Sequence, residues 1–409
     1  MKLQEGIYHA PGVRPGKFFN ILFLRAASGQ NARQVGEAFA KLWEIYQELK
    51  SGKVRDLPGQ QVPSGDLTVL VGYGANTFKL PEVRRTLPSH LQDFGFFRSP
   101  LPAGGGSFLI GSGLKYAADV KINSATEEIA VQFIAETQLA VDRAIVETWK
   151  VLSSMTDPTT ESAPLLITSF YSGSQRDDKR SWIDFHDGIS NMKSSEREGA
   201  ITIKRNPLPE EKWIESGTYL AFVRLGIDLS IWQALERRQQ ELLVGRDKLT
   251  GCPIESLDSQ NNLTVRTGCP FTGQASDFSN RAFEDFKEPP NVNELILKQS
   301  HVQRANQHVT PVSDRNSSRV FRQGYEFLEP THTAPGFRTG LNFVSFQDTP
   351  ERLFRILKQD KWLGRTNFGG DPDKPLPGMD RFLTVRAGGI FLVPPVVEGE
   401  LFPGSSIFI

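Results

Sequence analysis

The order of strand-like and helix-like segments constrains this chain more than any other feature. Residues 18–26 (FFNILFLRA) form an apolar run of aromatic and aliphatic side chains that is typical of a strand. Residues 31–50 then place apolar side chains at helical spacing, which predicts an amphipathic helix. Further strands are predicted at 66–74, near 114–122 and at 165–171, and a capping box of Ser124 and Glu127 predicts a helix to about 154. The first half therefore has the order β-α-β-β-α-β, which is that of a ferredoxin-like unit.

The same order returns in the second half of the chain. Strands are predicted at 218–226, 319–327 and 341–347 with a strand pair at 382–394, and helices at about 228–245 and from a cap at Thr349 and Pro350 to about 361. Each half would place its helices on one face of an antiparallel sheet, and the two free sheet faces could then pack on each other. We therefore predict an α+β fold of two ferredoxin-like (β-α-β-β-α-β) halves packed through their antiparallel sheets.

A long insertion interrupts the second half. We predict an N-terminal half at 1–178 and a C-terminal half at 179–409, with the insertion at about 246–318 rich in Gly, Pro, Asn and Ser. Loops of that length within a compact domain are usually functional or disordered. We expect function to lie in this insertion and at the junction between the halves.

Charge and composition exclude several classes of partner. The 409 residues include 47 Lys plus Arg and 47 Asp plus Glu, so the chain lacks the cationic surplus that nucleic-acid binding requires. Neither a signal peptide nor an apolar run long enough for a membrane span is recognisable. Cys252 and Cys269 each lie in a Gly-Cys-Pro triplet, and their spacing fits no zinc or redox pair. We therefore expect a cytoplasmic protein without nucleic-acid or membrane partners.

The sequence lacks most of the motifs that identify a catalytic or cofactor-binding site. The glycines near residues 72 and 104 fit neither a dinucleotide fingerprint nor a P-loop, the histidines form no H-E-x-x-H pair, and no G-x-S-x-G elbow occurs. Two segments remain that look arranged for chemistry, WIDFHDGIS at 182–190 and QSHVQRANQH at 299–308. Taken singly, an Asp-Gly turn and a surface histidine would explain them.

Together these segments resemble the dye-decolourising (DyP-type) haem peroxidases. That family carries a G-x-x-D-G motif, a histidine segment and, further along, an arginine. The counterparts here are DFHDG at 184–188, SHVQRANQ at 300–307 and VFRQGYEF at 320–327. Members of the family are built from two ferredoxin-like halves and bind haem in the C-terminal half, which agrees with the order of elements above.

The resemblance implies a role for three residues. His301 would be the proximal ligand of the iron in haem b, since a neutral imidazole nitrogen suits iron. Asp187 would move a proton between the two oxygens of hydrogen peroxide on the distal side. Arg322 would stabilise the negative charge that develops as the oxygen–oxygen bond breaks, and it would keep Asp187 ionised.

Five further positions follow from the same resemblance. Leu341 and Phe343 would wall the distal pocket, Ile189 and Ser190 would contact the haem, and Arg304 would lie near its propionates. Asp184 stands where the family motif begins with glycine, which either alters the turn or adds a second carboxylate near the haem. His186 could face either the haem or solvent.

The function implied is a haem-dependent peroxidase that oxidises aromatic or dye-like donors by one-electron steps through a ferryl intermediate. Bulky donors would pass electrons through redox-active side chains, for which the candidates are Trp182, Trp213, Trp232, Trp362, Tyr219 and Tyr325. Two alternatives stay open, a haem carrier or sensor with little turnover and a haem-free interaction module. The sequence also leaves a homodimer open.

Overall fold

The computed structural model describes most of the chain, with gaps in the loops. The described residues are 1–94, 98–99, 108–109, 127–159, 162–187, 189, 191–204, 208–267, 269, 289–305, 311–312, 314, 317–357 and 383–409. The strands are β1 (Phe18–Ala26), β2 (Thr68–Tyr73), β3 (Arg98–Ser99), β4 (Phe108–Leu109), β5 (Ile129–Ala135), β6 (Leu165–Ser174), β7 (Thr218–Ile227), β8 (Ile254–Leu257), β9 (Leu263–Val265), β10 (Phe321–Pro330), β11 (Phe337–Gln347) and β12 (Leu383–Val393).

Short helices fill much of the remaining chain. The α-helices are α1 (Ala32–Lys50), α2 (Ser89–Phe94), α3 (Gln138–Ser154), α4 (Ser194–Ile201), α5 (Leu229–Gln233), α6 (Arg237–Val244), α7 (Leu295–Lys298), α8 (His301–Arg304) and α9 (Glu351–Leu357), and 3₁₀ turns lie at Ala75–Lys79, Pro209–Ile214 and Ser405–Ile407. Within the described residues, no helix has the length and apolarity needed to cross a membrane.

Each half forms a four-stranded antiparallel sheet. The first sheet has the order β6-β1-β5-β2 and the second has the order β12-β7-β11-β10. In both, the first strand of the half lies between its fourth and third strands, as in a ferredoxin-like unit. The helices α1 and α3 pack on each other and cover one face of the first sheet. The predicted α+β fold of two ferredoxin-like halves is confirmed.

The two sheets also join at their edges, which the sequence did not indicate. The strand β2 pairs with β12 at Tyr73 and Leu392, and β6 pairs with β10 at Ser174 and Glu326, so the eight long strands close into a barrel. Aromatic side chains from both halves fill the interior, where Tyr325 stacks on Phe19 with ring centroids 4.6 Å apart. Each junction rests on one register pair, so the edges of the two sheets meet there and diverge beyond it.

Several predicted boundaries are wrong or lie outside the described residues. The strand predicted near 114–122 lies outside them, and the third strand of the first half is β5. The helix predicted from Ser124 and Glu127 instead begins at Gln138, because Glu127 is buried in an ion pair with Arg25 just before β5.

The second half needs smaller corrections. The helix predicted at 228–245 is divided into α5 and α6, since Glu236 and Gln239 form a new capping box. The helix predicted to end near 361 is described to Leu357. The strand pair predicted at 382–394 is the single strand β12.

Candidate active site

A buried cavity of about 250 Å³ lies against the helix-side face of the second sheet. Alternate residues of β7, β10 and β11 line it from the sheet, and α8, α9 and the segment 181–192 line it from the other sides. Its walls are mainly aliphatic, but His301, Asp187 and Arg322 all contribute to them. The structure therefore brings the three predicted catalytic and ligand residues, from distant parts of the sequence, into one cavity.

His301 is the first residue of α8 and lies at the cavity wall. The close approach of this helix requires a glycine at the end of α6. Gly245 has a φ of +87°, and a Cβ there would lie 2.4 Å from the Val302 side chain and 2.5 Å from Ser300 Oγ. Burial, together with the positive charges of Arg322 and Arg246, lowers the pKa of the His301 imidazole to about 3. The ring is therefore neutral at physiological pH and can offer a nitrogen lone pair.

Asp187 is held by a tight loop that starts after β6. Its backbone N–H donates to the carbonyl of Lys179 at 2.9 Å, which closes the loop, and the Phe185 ring is anchored against Trp232. The Asp187 carboxylate approaches β10 at Gly324, which has no side chain. A Cβ on Gly324 would lie only 3.0 Å from Asp187 Oδ2. The glycine therefore makes the room that Asp187 needs.

Arg322 ties β10 to the segment that follows Asp187. Its Nη2 donates to the carbonyl oxygen of Ile189 at 2.6 Å, and Asn191 Nδ2 donates to the Arg322 carbonyl at 2.8 Å. Burial lowers the pKa of Arg322, and the charge of Asp187 raises it. The guanidinium remains charged, since its ordinary pKa is far above neutrality.

The other predicted positions are placed unevenly. Leu341, Phe343 and Ile189 line the cavity, whereas Arg304 on α8 is not among the lining residues. Ser190 lies outside the described residues. His186 does not face solvent: it is buried and lines the cavity. Burial is the main cause that lowers its pKa to about 4.

Asp184 does not add a second carboxylate to the cavity. Its φ is +66°, a left-handed conformation that favours glycine, so the aspartate adopts the backbone turn that the glycine of the motif would allow. The side chain is 62 % exposed and lies 3.5 Å from Lys248 Nζ. Of the two outcomes considered from the sequence, neither is found: the turn is kept, and the carboxylate points outward.

Sequence reasoning missed three charged residues that line the cavity: Arg246, Arg319 and Glu326. Arg246 is 3 % exposed and donates to the carbonyl of Gly251 at 2.7 Å, and burial followed by the charge of Arg322 lowers its pKa to about 9. Arg319 forms a bidentate ion pair with Glu196 at 3.1 and 2.9 Å. Arg246 and Arg322 thus bring positive charge to the cavity, whereas the charge of Arg319 is balanced by Glu196.

A disulfide joins Cys252 to Cys269, with Cα atoms 6.1 Å apart. Both cysteines pack against Ile189, whose carbonyl accepts the hydrogen bond from Arg322. This bond was not anticipated from the sequence, because proximity in the fold is not visible in a separation of 17 residues. The disulfide also removes the argument for a reduced compartment that was drawn from the two cysteines.

Removing this cross-link should destabilise the protein. The variant with Cys252→Ala and Cys269→Ala is expected to lose about 3 kcal/mol of unfolding free energy, because closing a loop of roughly 15 residues removes that much chain entropy from the unfolded state. Urea unfolding of both proteins measures the loss. A thiol reductant should lower the wild type to the level of the variant and leave the variant unchanged; equal stabilities without reductant would contradict the cross-link.

The fold and the cavity together define a duplicated ferredoxin-like protein whose second half holds a cavity lined by a histidine, an aspartate and an arginine. The chain matches the family model described as Dyp-type peroxidase, C-terminal, over residues 178–398, more than half of its 409 residues. The chain belongs to the DyP-type peroxidase family.

Curated relatives match about half of the chain. A dye-decolorizing peroxidase of Thermobifida fusca (strain YX) is 22% identical over 200 residues, which are 49% of this chain and 38% of that protein. A deferrochelatase of Escherichia coli (strain UTI89 / UPEC) is 21% identical over 199 residues, which are 48% of this chain and 38% of that protein. The match thus spans well under half the length of these relatives.

Solved structures match nearly the whole chain. The DyP-type peroxidase of Streptomyces coelicolor has a TM-score of 0.66 at 19% identity, covering 100% of this chain and 95% of that one. That of Cellulomonas bogoriensis has a TM-score of 0.65 at 16% identity, covering 98% and 96%. A variant of DypB from Rhodococcus jostii, solved in complex with heme, has a TM-score of 0.54 at 17% identity, covering 95% and 96%. At these identities the likeness concerns the fold.

Proposed function

We propose that this chain is a haem-dependent peroxidase that reduces hydrogen peroxide and oxidises aromatic or dye-like donors by one-electron steps. The observation that carries the proposal is that His301, Asp187 and Arg322 line the same cavity. Family membership agrees with it.

The residues of the cavity fit haem b. A neutral imidazole at the wall is a suitable iron ligand, so His301 would hold the metal. The aliphatic walls suit the porphyrin, and Ile189, Leu341 and Phe343 would contact it or border the space above it. The arginines suit the two propionates, for which Arg246 and Arg319 are better placed than Arg304, since both line the cavity.

Haem supplies the iron at which peroxide is activated, and the chain supplies proton transfer and charge. Asp187 would accept the proton of the inner peroxide oxygen and return it to the outer oxygen, which then leaves as water. Arg322 would donate to the oxygen that becomes negative, from a position fixed by its bond to the Ile189 carbonyl. Leu341 and Phe343 would keep larger molecules out of the space between these two groups.

A bulky donor would therefore deliver electrons from the surface. Of the proposed relay residues, Tyr219, Tyr325 and Trp232 are almost fully buried. Trp182 is partly exposed, stacks under the Arg176 guanidinium at 4.5 Å and is flanked by Ser181 and Ile183, which both line the cavity. Among the described residues, Trp182 thus best joins the cavity wall to the surface, and Trp362 lies outside those residues.

The absorbance spectrum of the purified protein, before and after peroxide, tests this function. We expect a Soret band that changes rapidly on addition of hydrogen peroxide and returns as an aromatic dye is bleached over many turnovers. A haem spectrum that peroxide leaves unchanged would favour the carrier or sensor. Purification without haem, even from cells supplied with a haem precursor, would favour the haem-free interaction module.

A further inference from the structure

Glu326 is a second carboxyl group in the cavity and is used by no step above. Arg322, Gly324 and Glu326 alternate along β10 and all line the cavity, because successive side chains of a strand point to opposite faces. Glu326 lies opposite Leu341 on β11 and opposite Ser174 on β6, where the two halves of the barrel join. Its side chain is therefore enclosed on both sides, and the residue is only 4 % exposed.

Among the described residues, no cation forms an ion pair with the Glu326 carboxyl group. Neither oxygen makes a hydrogen bond of ordinary geometry with a described residue. Burial and then the negative charge of Asp187 raise the pKa of Glu326 well above its usual value, and Asp178 adds to this. The backbone of Trp182 and the charge of Arg176 act in the opposite direction but more weakly. Burial without a hydrogen-bond partner and the neighbouring charge of Asp187 thus both favour the protonated form of the Glu326 carboxyl.

Asp187 is the anionic neighbour of this acid. Gly324, two residues before Glu326 on β10, lies against Asp187: a Cβ on it would be 3.0 Å from Asp187 Oδ2 and 3.2 Å from the Leu341 side chain. Leu341 is also the cross-strand partner of Glu326. Two carboxyl groups that share one buried space favour a state in which only one of them is ionised.

We propose that Glu326 stores a proton beside Asp187 and passes it to Asp187, so that the pair resupplies the cavity with protons between turnovers. This role rests on the proposed peroxidase function. Asp187 alone moves one proton between two oxygens and returns to its starting state, whereas reducing one hydrogen peroxide to two waters consumes two electrons and two protons. A donor oxidised at the surface releases its proton to bulk water, so the two protons must come by another route.

The proton transfer is balanced as follows. The O–H bond of the Glu326 carboxyl breaks, an O–H bond forms on Asp187, and the negative charge moves to Glu326. Glu326 then regains a proton from water near the loop that carries Arg176 and Asp178, the charged groups that also face it. Glu326 acts through Asp187 and needs no contact with peroxide.

Infrared spectroscopy of the purified full-length protein tests the proton sharing without using activity. The wild type should show a protonated-carboxyl band at neutral pH that is lost in Glu326→Gln and kept in Glu127→Gln, a control for a buried carboxyl outside the cavity. In Asp187→Asn, which removes the neighbouring charge, the band should disappear at lower pH than in the wild type. A band that Glu326→Gln leaves in place, or a titration that Asp187→Asn leaves unchanged, would overturn the proposal.

The pH dependence of the unfolding free energy also reports whether Glu326 is protonated in the folded protein. A carboxyl that stays protonated when folded but ionises when unfolded destabilises the fold increasingly as pH rises from about 4.3, its ordinary pKa. The ratio of unfolding equilibrium constants, wild type over Glu326→Gln, should therefore rise by up to about tenfold per pH unit until the folded pKa is reached. A ratio independent of pH would contradict a buried protonated Glu326.

Turnover separates the two proposals. Glu326→Gln should slow steady dye oxidation by about tenfold or more at neutral pH, with partial recovery in Glu326→Asp, while the first reaction with peroxide stays near the wild-type rate. Glu127→Gln should leave both rates unchanged. If haem is absent, the proposed function fails while the infrared titration still reports on the carboxyl pair. If the band behaves as expected but the turnover of Glu326→Gln matches the wild type, the proton-supply role is wrong and the peroxidase function stands.

Discussion

Replacing His301 by alanine should abolish stable haem binding. The other groups that line the cavity are mainly aliphatic side chains and arginines, which would contact the porphyrin but would not hold the iron. Losing the ligand should weaken haem affinity by more than about 100-fold, since losing only a residue that supports a ligand costs about 10–100-fold. Titration of the purified variant with haem, followed by gel filtration and the Soret band, measures the effect.

His186 provides a matched control for this experiment. It is the other histidine that lines the cavity among the described residues, it is buried, and its lowered pKa also leaves it neutral. His186→Ala should therefore retain the histidine-ligated spectrum, and added imidazole should restore part of that spectrum to His301→Ala. Retention of a normal spectrum by His301→Ala, with its loss in His186→Ala, would transfer the ligand role to His186.

The fold could be predicted where a strand or helix has one buried face. The helix α1 buries Val35, Phe39 and Leu42 at the expected spacing, and its predicted and observed limits differ by one residue. The prediction failed at β5, where IAVQFIA is buried on both faces, so it shows no alternation. Barrel closure could not be predicted either, because each junction depends on a single pair of residues from different halves.

The candidate site was predictable only in part. Asp187, His301 and Arg322 came from motifs shared with a family, and physical chemistry then explained why those side chains suit the task. Glu326 lies in the quoted segment 320–327, but the resemblance implied no role for it. Along β10, Glu326 points to the face of the strand away from its apolar neighbours Tyr325 and Phe327, and a charged residue in that position normally faces water. Only the fold shows that the insertion and α9 cover that face of the sheet. Burial by remote segments is the information that the sequence lacked.

The distal pair should have the second large effect. Asp187→Asn keeps the shape of the side chain but removes the proton acceptor, so the reaction of the haem-loaded protein with hydrogen peroxide should slow by about 10²–10⁴-fold. Arg322→Leu removes the donor to the developing charge and should slow the same step by about 10²–10³-fold. Stopped-flow absorbance at varied peroxide concentration gives the second-order rate constant directly.

The chain offers a close control for Asp187 in Asp184, three residues earlier in the same loop but with its side chain 62 % exposed. Asp184→Asn should react with peroxide at the wild-type rate and have the wild-type haem spectrum. Arg322→Lys separates charge from geometry, because lysine keeps the charge but lacks the planar guanidinium whose Nη2 donates to the Ile189 carbonyl. Its rate should therefore fall between those of the wild type and Arg322→Leu.

Since Asp187 and Arg322 act on the same bond cleavage, the double variant should be less impaired than the product of the single effects. Wild-type rates in both single variants would refute the distal roles, and fully multiplicative effects would show that the two residues act in separate steps.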